Sequence, residues 1–343
     1  MSLSRPAKFP LLKLPWLCIK CVIHNSNEFD LIFFATISNR TRRIVKISKY
    51  PLKEIIVSPS SGNLIVISDL VIKKKNVWHF LHDNYAYNGN LVLQLGSHPL
   101  RTSRDFEYYL RSYTAGDKLD ALKMGIDFMI DVFGCTIKRI IVDGDKLSEL
   151  FGLGITSVKE LFIFDDKPVN ITDLKNLLET IKVTHSYEFY APIPANFSCD
   201  PQIFKCRKLN FAYKKSADWV TLELLCQLDV PQLAFWHHRF SKEDIVSYAT
   251  HWFNSENRKL EYVRFQFNNP ISLEDFEIDH LNPIPFCEKR RNRCPFAGGW
   301  KDRDMSSGMD IIRKDGLLAT LYVESKSIIF YIWHKRFPDS VQQ

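Results

Sequence analysis

Apolar positions in this chain fall into three successive patterns. From Trp16 to Ile23 the run is apolar at nearly every position, so a helix made of it has no polar face to turn to water. Pro15 suits the first turn of such a helix, where a missing N–H costs nothing. Asn25-Ser26-Asn27 breaks the run, and Asn27 with Asp30 reads as an N-cap pair opening a second helix through Leu31, Ile32 and Phe34. A third short helix is predicted after Ser38, with Arg40, Arg42, Arg43 and Lys46 on a basic face and Ile44, Val45 and Ile47 on the buried side. Three helices in about forty residues bury too little surface to stand alone, so this block needs a partner.

Between residues 52 and 133 the apolar stretches become short. Glu54–Ser58, Leu64–Ile67, Val77–Leu81 and Leu91–Leu95 read as strands, and Leu119–Phe133 as an amphipathic helix. No chemistry is legible in them.

After residue 130 an apolar-x-x-apolar-x-apolar signature recurs, in the segments that begin at Ile137, Val158, Thr184, Cys206, Val230 and Leu260. Their fourth positions, 140, 161, 187, 209, 233 and 263, are spaced by 21, 26, 22, 24 and 30 residues, in and near the range of leucine-rich-type repeats. Helices are predicted between copies over Thr172–Ile181, Trp219–Leu228 and Ile245–Phe253, the last behind the Ser241/Asp244 capping box. Each copy exposes an apolar face that only the next can cover, which predicts a curved strand-helix solenoid. An α/β domain with similarly spaced parallel strands is the alternative. Met309–Arg313, Leu317–Val323 and Ile328–Trp333 read as an antiparallel meander that closes the end of the solenoid.

If fourth and sixth positions point inward, the residues beside them face the open, concave side. That stripe passes through Phe162, Glu188, Asn210, Ala234 and Arg264, flanked by Phe164, Tyr190 and Trp236. Aromatics mixed with arginine and glutamate are what protein interfaces favour. Phe162, Phe164, Glu188, Tyr190, Asn210, Trp236 and Arg264 are therefore the candidate target-binding residues.

Composition narrows the function further. The 343 residues, 45% of them hydrophobic, suffice for about two packed domains. No run approaches the roughly 18 apolar residues of a membrane span, and the N-terminus lacks a secretory h-region, so the expected setting is intracellular, cytoplasmic or nuclear, with no membrane partner. The eight cysteines mostly sit inside apolar segments and read as reduced core thiols. The net charge of +7 gathers at Arg40–Arg43, Lys73–Lys75 and Lys289–Arg293, too far apart in sequence for a nucleic-acid surface. Cys18-x-x-Cys21 lies in the apolar helix without a second pair, and Cys287 with Cys294 and His280 would be the core of a thiol or metal hydrolase but lacks a fourth zinc ligand. Asp165-Asp166 and Asp127/Asp131 are paired carboxylates best read as structural, one in a strand-to-helix turn and one at i,i+4 on a helix. No catalytic residue, metal or cofactor is predicted.

Two resemblances give the pattern a name. Phe9-Pro-Leu-Leu-Lys-Leu14-Pro15, the apolar helix, Asp30-Leu31 and the basic stretch after Ser38 resemble an F-box, with Thr41 in place of the usual late tryptophan. That resemblance implies docking to a Skp-type adaptor and through it to a cullin, with Leu14, Pro15, Leu17, Cys18, Cys21, Leu31 and Ile32 as the adaptor-facing residues. The segments Leu161-Phe-Ile-Phe-Asp-Asp-Lys-Pro-Val-Asn170, Leu281-Asn-Pro-Ile-Pro-Phe286 and Asp310-Ile-Ile-Arg-Lys-Asp-Gly-Leu-Leu-Ala-Thr-Leu321 resemble the type-2 F-box-associated domain of nematode proteins. The expected fold is then α+β or α/β, a three-helix F-box over 1–50, a β-rich region with one helix over 51–134, and a leucine-rich-repeat-like solenoid with its β cap over 135–343. The implied role is the non-catalytic, substrate-recognition subunit of a Skp-cullin-F-box ubiquitin ligase, holding a protein target that the sequence does not name. A ligase-independent repeat scaffold is the alternative reading.

Overall fold

Each polar interruption in the N-terminal apolar block becomes a helix cap in the computed structural model of the chain. The structure describes residues 11–60, 62–68, 75–83, 91–105, 108–287, 293–294 and 303–334. Phe9-Pro10, Lys73-Lys74 and Lys289–Arg291 of the sequence reading lie outside them. Helices α1 (Trp16–His24), α2 (Glu28–Thr36) and α3 (Asn39–Ser48) follow one another closely. The Asn27 side chain accepts the Asp30 N–H at 2.8 Å, Ser38 and Thr41 form a reciprocal capping box, and Lys49 in the left-handed region ends α3.

The chain divides into two units, Met1–Ile141 with Glu149–Ile155, and Val142–Ser148 with Thr156–Gln343. In the first, the helices are followed by β1 (Glu54–Ser58), β2 (Leu64–Ser68), β3 (Lys75–His82), β4 (Leu91–Leu95), β5 (His98–Asp105), β6 (Tyr109–Thr114), α4 (Lys118–Phe133), β7 (Thr136–Asp143) and α5 (Glu149–Gly152). Its strands run in the order β7-β1-β2-β3-β6-β5-β4, parallel at β7/β1 and β3/β6 and antiparallel elsewhere. Helix α4 lies so close to β3 that a Cβ at Gly125 would run into the Phe80 ring.

The second unit contains β8 (Ser157–Phe164), α6 (Ile171–Thr180), β9 (Lys182–Tyr190), β10 (Lys208–Phe211), α7 (Leu222–Gln227), β11 (Gln232–Phe235), α8 (Lys242–Asn254) and β12 (Tyr262–Gln266). These are followed by β13 (Ile284–Pro285), the two-stranded ribbon β14 (Arg293–Cys294) and β15 (Arg303–Asp304), and the meander β16 (Met309–Ile312), β17 (Leu318–Glu324) and β18 (Ser327–Trp333). Strands β8 to β12 are parallel neighbours, with Leu161, Tyr187, Leu209, Leu233 and Val263 aligned across them. The sixth positions align as well. Phe189, Phe211, Phe235 and Phe265 stack in a ladder with ring centroids 5.2, 5.1 and 5.3 Å apart, and Trp219, Phe240 and Tyr248 close over it edge-on. This ladder is fully buried and is the centre of the unit's core.

The expected architecture of a three-helix F-box followed by a solenoid of strand-helix repeats is overturned. Within the second unit the strands run in the order β13-β16-β17-β18-β12-β11-β10-β9-β8, one mixed sheet in which the parallel strands continue into the antiparallel meander. Strand-helix alternation fails between β9 and β10, where the connection holds only a short 3-10 turn at Pro201–Ile203, and β12 is flanked by the antiparallel β18 instead of another repeat. The N-terminal helices are built into the sheet-containing unit. Buried Glu28 accepts hydrogen bonds from Asn76 Nδ2 of β3 at 2.6 Å and from the Tyr50 hydroxyl at 3.2 Å. Arg104 of β5 pairs with Asp30, and Arg42 and Lys46 of α3 both pair with Asp131 of α4. Intervals between apolar signatures count residues per connection; they say nothing about which strand lies on the far side of the last copy.

Helix α7 also starts later than the sequence suggests. Trp219 is spent as a core residue whose indole N–H donates to the Ser216 carbonyl, and Thr221 provides the N-cap. Strands β5 and β6 carry no long apolar run, because mainly Leu100, Thr102, Leu110, Ser112 and Tyr113 of them are buried, and so they leave no mark in the apolar pattern.

Candidate functional site

Because side chains alternate along a strand, the residues beside the ladder emerge on the other face of the parallel sheet. Register places Phe162, Glu188, Asn210, Ala234 and Arg264 side by side in one row across β8 to β12. Glu188 is only 5% exposed and holds two neighbours on β10, accepting from Lys208 Nζ at 2.8 Å and from Asn210 Nδ2 at 2.5 Å. Asn210 in turn accepts the indole N–H of Trp236 at 2.9 Å, and the Arg264 guanidinium lies over the Trp236 ring at 4.3 Å. Burial lowers the pKa of Arg264, and nearby Arg303 lowers it further. The row is thus one connected polar and aromatic network, with Trp236 exposed at its surface.

At the β8/β9 end the row becomes aromatic. Phe162, Phe164 and Tyr190 stack nearly parallel, Phe164 and Tyr190 at 4.6 Å and 9°. Phe164 and Tyr190 also line an open cleft of about 520 Å³ together with Tyr213 and four carboxylates, Asp143, Asp145, Asp165 and Asp166. Local sequence explains this convergence. The turn Asp143-Gly144-Asp145 ends β7, and Gly144 is required there because a Cβ would meet Val169 and Asp165. Asp165 fixes two turns, accepting the Asp145 N–H at 3.0 Å and the Lys167 N–H at 2.9 Å. Asp166 is exposed and accepts the Tyr213 hydroxyl at 2.8 Å, a bond that raises the phenol's pKa and keeps its proton in place. The dipole of α6 is served instead by Asn170, which caps it, and by Asp173 in its first turn.

The seven candidate target-binding residues therefore share one sheet face, all within the second unit. Asp143, Asp145 and Tyr213 adjoin them and escape sequence reasoning, since they sit at a strand end and in connections whose distance from the stripe is not visible in the spacing. Asp-Gly-Asp after an apolar signature was the available signal.

The candidate adaptor-facing residues separate into two groups. Leu17, Cys18 and Cys21 are exposed on α1, Leu17 by 76%, with Pro15 exposed and Leu14 half-buried beside them. Trp16 and Val22 are exposed on the same helix, which buries only Ile19 and Ile23. Leu31 and Ile32 are buried in the unit's own core and present no surface, because α2 spends its apolar side on packing within the unit.

Asp131 is held below the usual carboxylate range, first by the Lys46 hydrogen bond, while Cys135 and Cys206 are pushed up to about 12 by burial. His280 meets Thr250 at 2.8 Å and Cys287 is exposed. Among the described residues no group of three His, Cys, Asp or Glu side chains converges as a metal site, and no helix is long and apolar enough to cross a membrane.

Over 132 residues the chain is 33% identical to the uncharacterized protein F59B2.8 of Caenorhabditis elegans, covering 36% of this chain and 30% of that protein. The uncharacterized protein F59B2.9 of the same organism is 29% identical over 136 residues, 37% of this chain and 31% of its own. A match to the E3 ubiquitin-protein ligase hecw-1 of C. elegans is 21% identical and covers 88% of this chain but 27% of the ligase. The chain spans about 30% of the length of the curated relatives it matches. No solved structure matches. Residues 200–265, which run from before β10 into β12, match the family model described as F-box associated, so the chain carries an F-box-associated domain and is similar to nematode proteins.

Proposed function

We propose that the chain is a substrate-recognition subunit of a Skp-cullin-F-box ubiquitin ligase. In this reading α1 docks a Skp-type adaptor, the adaptor binds a cullin, and the stripe on the second unit holds the protein target. The chain makes no bond itself; it raises the local concentration of the target beside the ubiquitin carrier.

The observation that carries this reading is the apolar side of α1, which is exposed among the described residues of its own unit. An exposed cluster of Trp16, Leu17, Cys18, Cys21 and Val22 costs solubility unless something covers it, and each side chain it buries contributes about 1.5–3 kcal/mol. The F-box-associated match supports the setting, as does similarity to a relative whose name is that of an E3 ubiquitin-protein ligase. Leu14→Asp with Pro15→Ala, and separately Leu17→Asp, are expected to abolish co-purification with a Skp-type adaptor while circular dichroism stays unchanged. Undiminished co-purification in both variants would sink the proposal.

A further inference from the structure

The cleft beside the aromatic end of the stripe has the chemistry of a cation receptor. It opens at the carboxyl ends of parallel strands, where side chains from several connections converge and where open α/β sheets receive ligands. Two features of it point to the same kind of ligand. Phe164 and Tyr190 present stacked rings, whose faces attract a cation. Asp145 and Asp166 are exposed carboxylates at its wall, and among the described residues neither carries an ion pair with a lysine or arginine.

Charge complementarity selects the occupant. The chain as a whole is basic at +7, and the cleft is walled by four aspartates of which Asp143 pairs with Lys146 at 3.8 Å, so the remaining carboxylates oppose the prevailing sign and repel anionic ligands such as phosphate or nucleic acid. On the same sheet face the protein already places one of its own guanidinium groups over an indole, Arg264 over Trp236. A volume of about 520 Å³ fits one or two side chains of an extended segment lying along an open surface.

We propose that this cleft receives an arginine or lysine side chain of the captured target, laid against Phe164 and Tyr190 and paired with Asp145 and Asp166. The inference rests on the target-capture reading above and adds to it the chemistry by which a target is chosen.

The test uses the full chain and an array of short glycine-serine peptides with a central arginine, lysine, citrulline or glutamate. Citrulline keeps the shape of arginine and removes its charge, so the unaltered protein supplies its own control. Arginine or lysine peptides should bind about tenfold more tightly than citrulline and glutamate peptides, a difference of about 1.4 kcal/mol. Asp145→Asn with Asp166→Asn should erase that preference, and so should Tyr190→Leu. Equal binding of arginine and citrulline peptides would overturn the proposal, as would a preference that survives the double substitution. Adaptor co-purification, read in parallel, does not depend on this cleft, so failure of the one proposal is distinguishable from failure of the other.

Discussion

The two faces of the parallel sheet in the second unit are built from adjacent residues and have opposite economies. On one, Phe189, Phe211, Phe235 and Phe265 repeat a single solution at successive strands, and helices close over it. On the other, no two neighbours are alike: phenylalanine, glutamate, asparagine, alanine and arginine follow in register, linked by side-chain hydrogen bonds and a cation over a ring. Uniform apolar ladders are what stability asks of a buried surface, since one ring packs on the next wherever it occurs. A varied polar row needs a particular partner for each side chain, so it cannot be extended strand by strand as the ladder is.

Stability measurements can break the contrast at its strongest point. Phe211→Ala removes the middle of the ladder and is expected to lower unfolding free energy by about 3–5 kcal/mol in denaturant titration, through lost contacts and the cavity left behind. A change below about 1 kcal/mol would mean that the ladder is not the core of the unit. A smaller effect follows from pH. His238 packs among Phe240, Phe265 and Phe267 beside the ladder's end, and burial lowers its pKa from 6.5 to about 4. Its neutral form suits the fold, so its contribution is whole above about 6.5 and is lost as pH falls from there toward 4. The unfolded chain takes up the proton first across that window. The loss should be about 3 kcal/mol and should vanish in His238→Phe, checked by thermal melts across the window. Smallest of all, Trp236→Ala on the open face should cost about 1 kcal/mol, the sum of a hydrogen bond and a partly exposed cation–ring contact. If the open face exists for recognition, the same variant weakens target capture in cells far more than it shifts a melt; proximity labelling compares the two.

The helices α1 and α2 carry a related lesson. Both are apolar and both were candidates for adaptor contact, yet Leu31 and Ile32 are buried while Leu17 stands exposed. Apolarity in the sequence marked that something must cover each helix. It did not say whether the cover comes from the same chain. The Asn76 and Arg104 contacts that anchor α2 come from strands about fifty and seventy residues away, a separation that no local pattern reports.

Local physics did determine a good deal. Period-2 alternation and the recurring apolar signature place the six strands β7 to β12, and the fourth-position register is the one the spacing aligns. Caps at Asn27, Ser38, Asn170 and Ser241 are readable because a short polar side chain before an apolar run satisfies the first free N–H groups of a helix. Only the tertiary structure decided that the repeats join a mixed sheet instead of a solenoid, that α2 is core and α1 surface, and that Asp145, Asp166 and Tyr213 meet the aromatic stack in one cleft. The reason is the same in each case: capping and alternation act over a few residues, whereas burial and convergence depend on which distant segments arrive to fill the space.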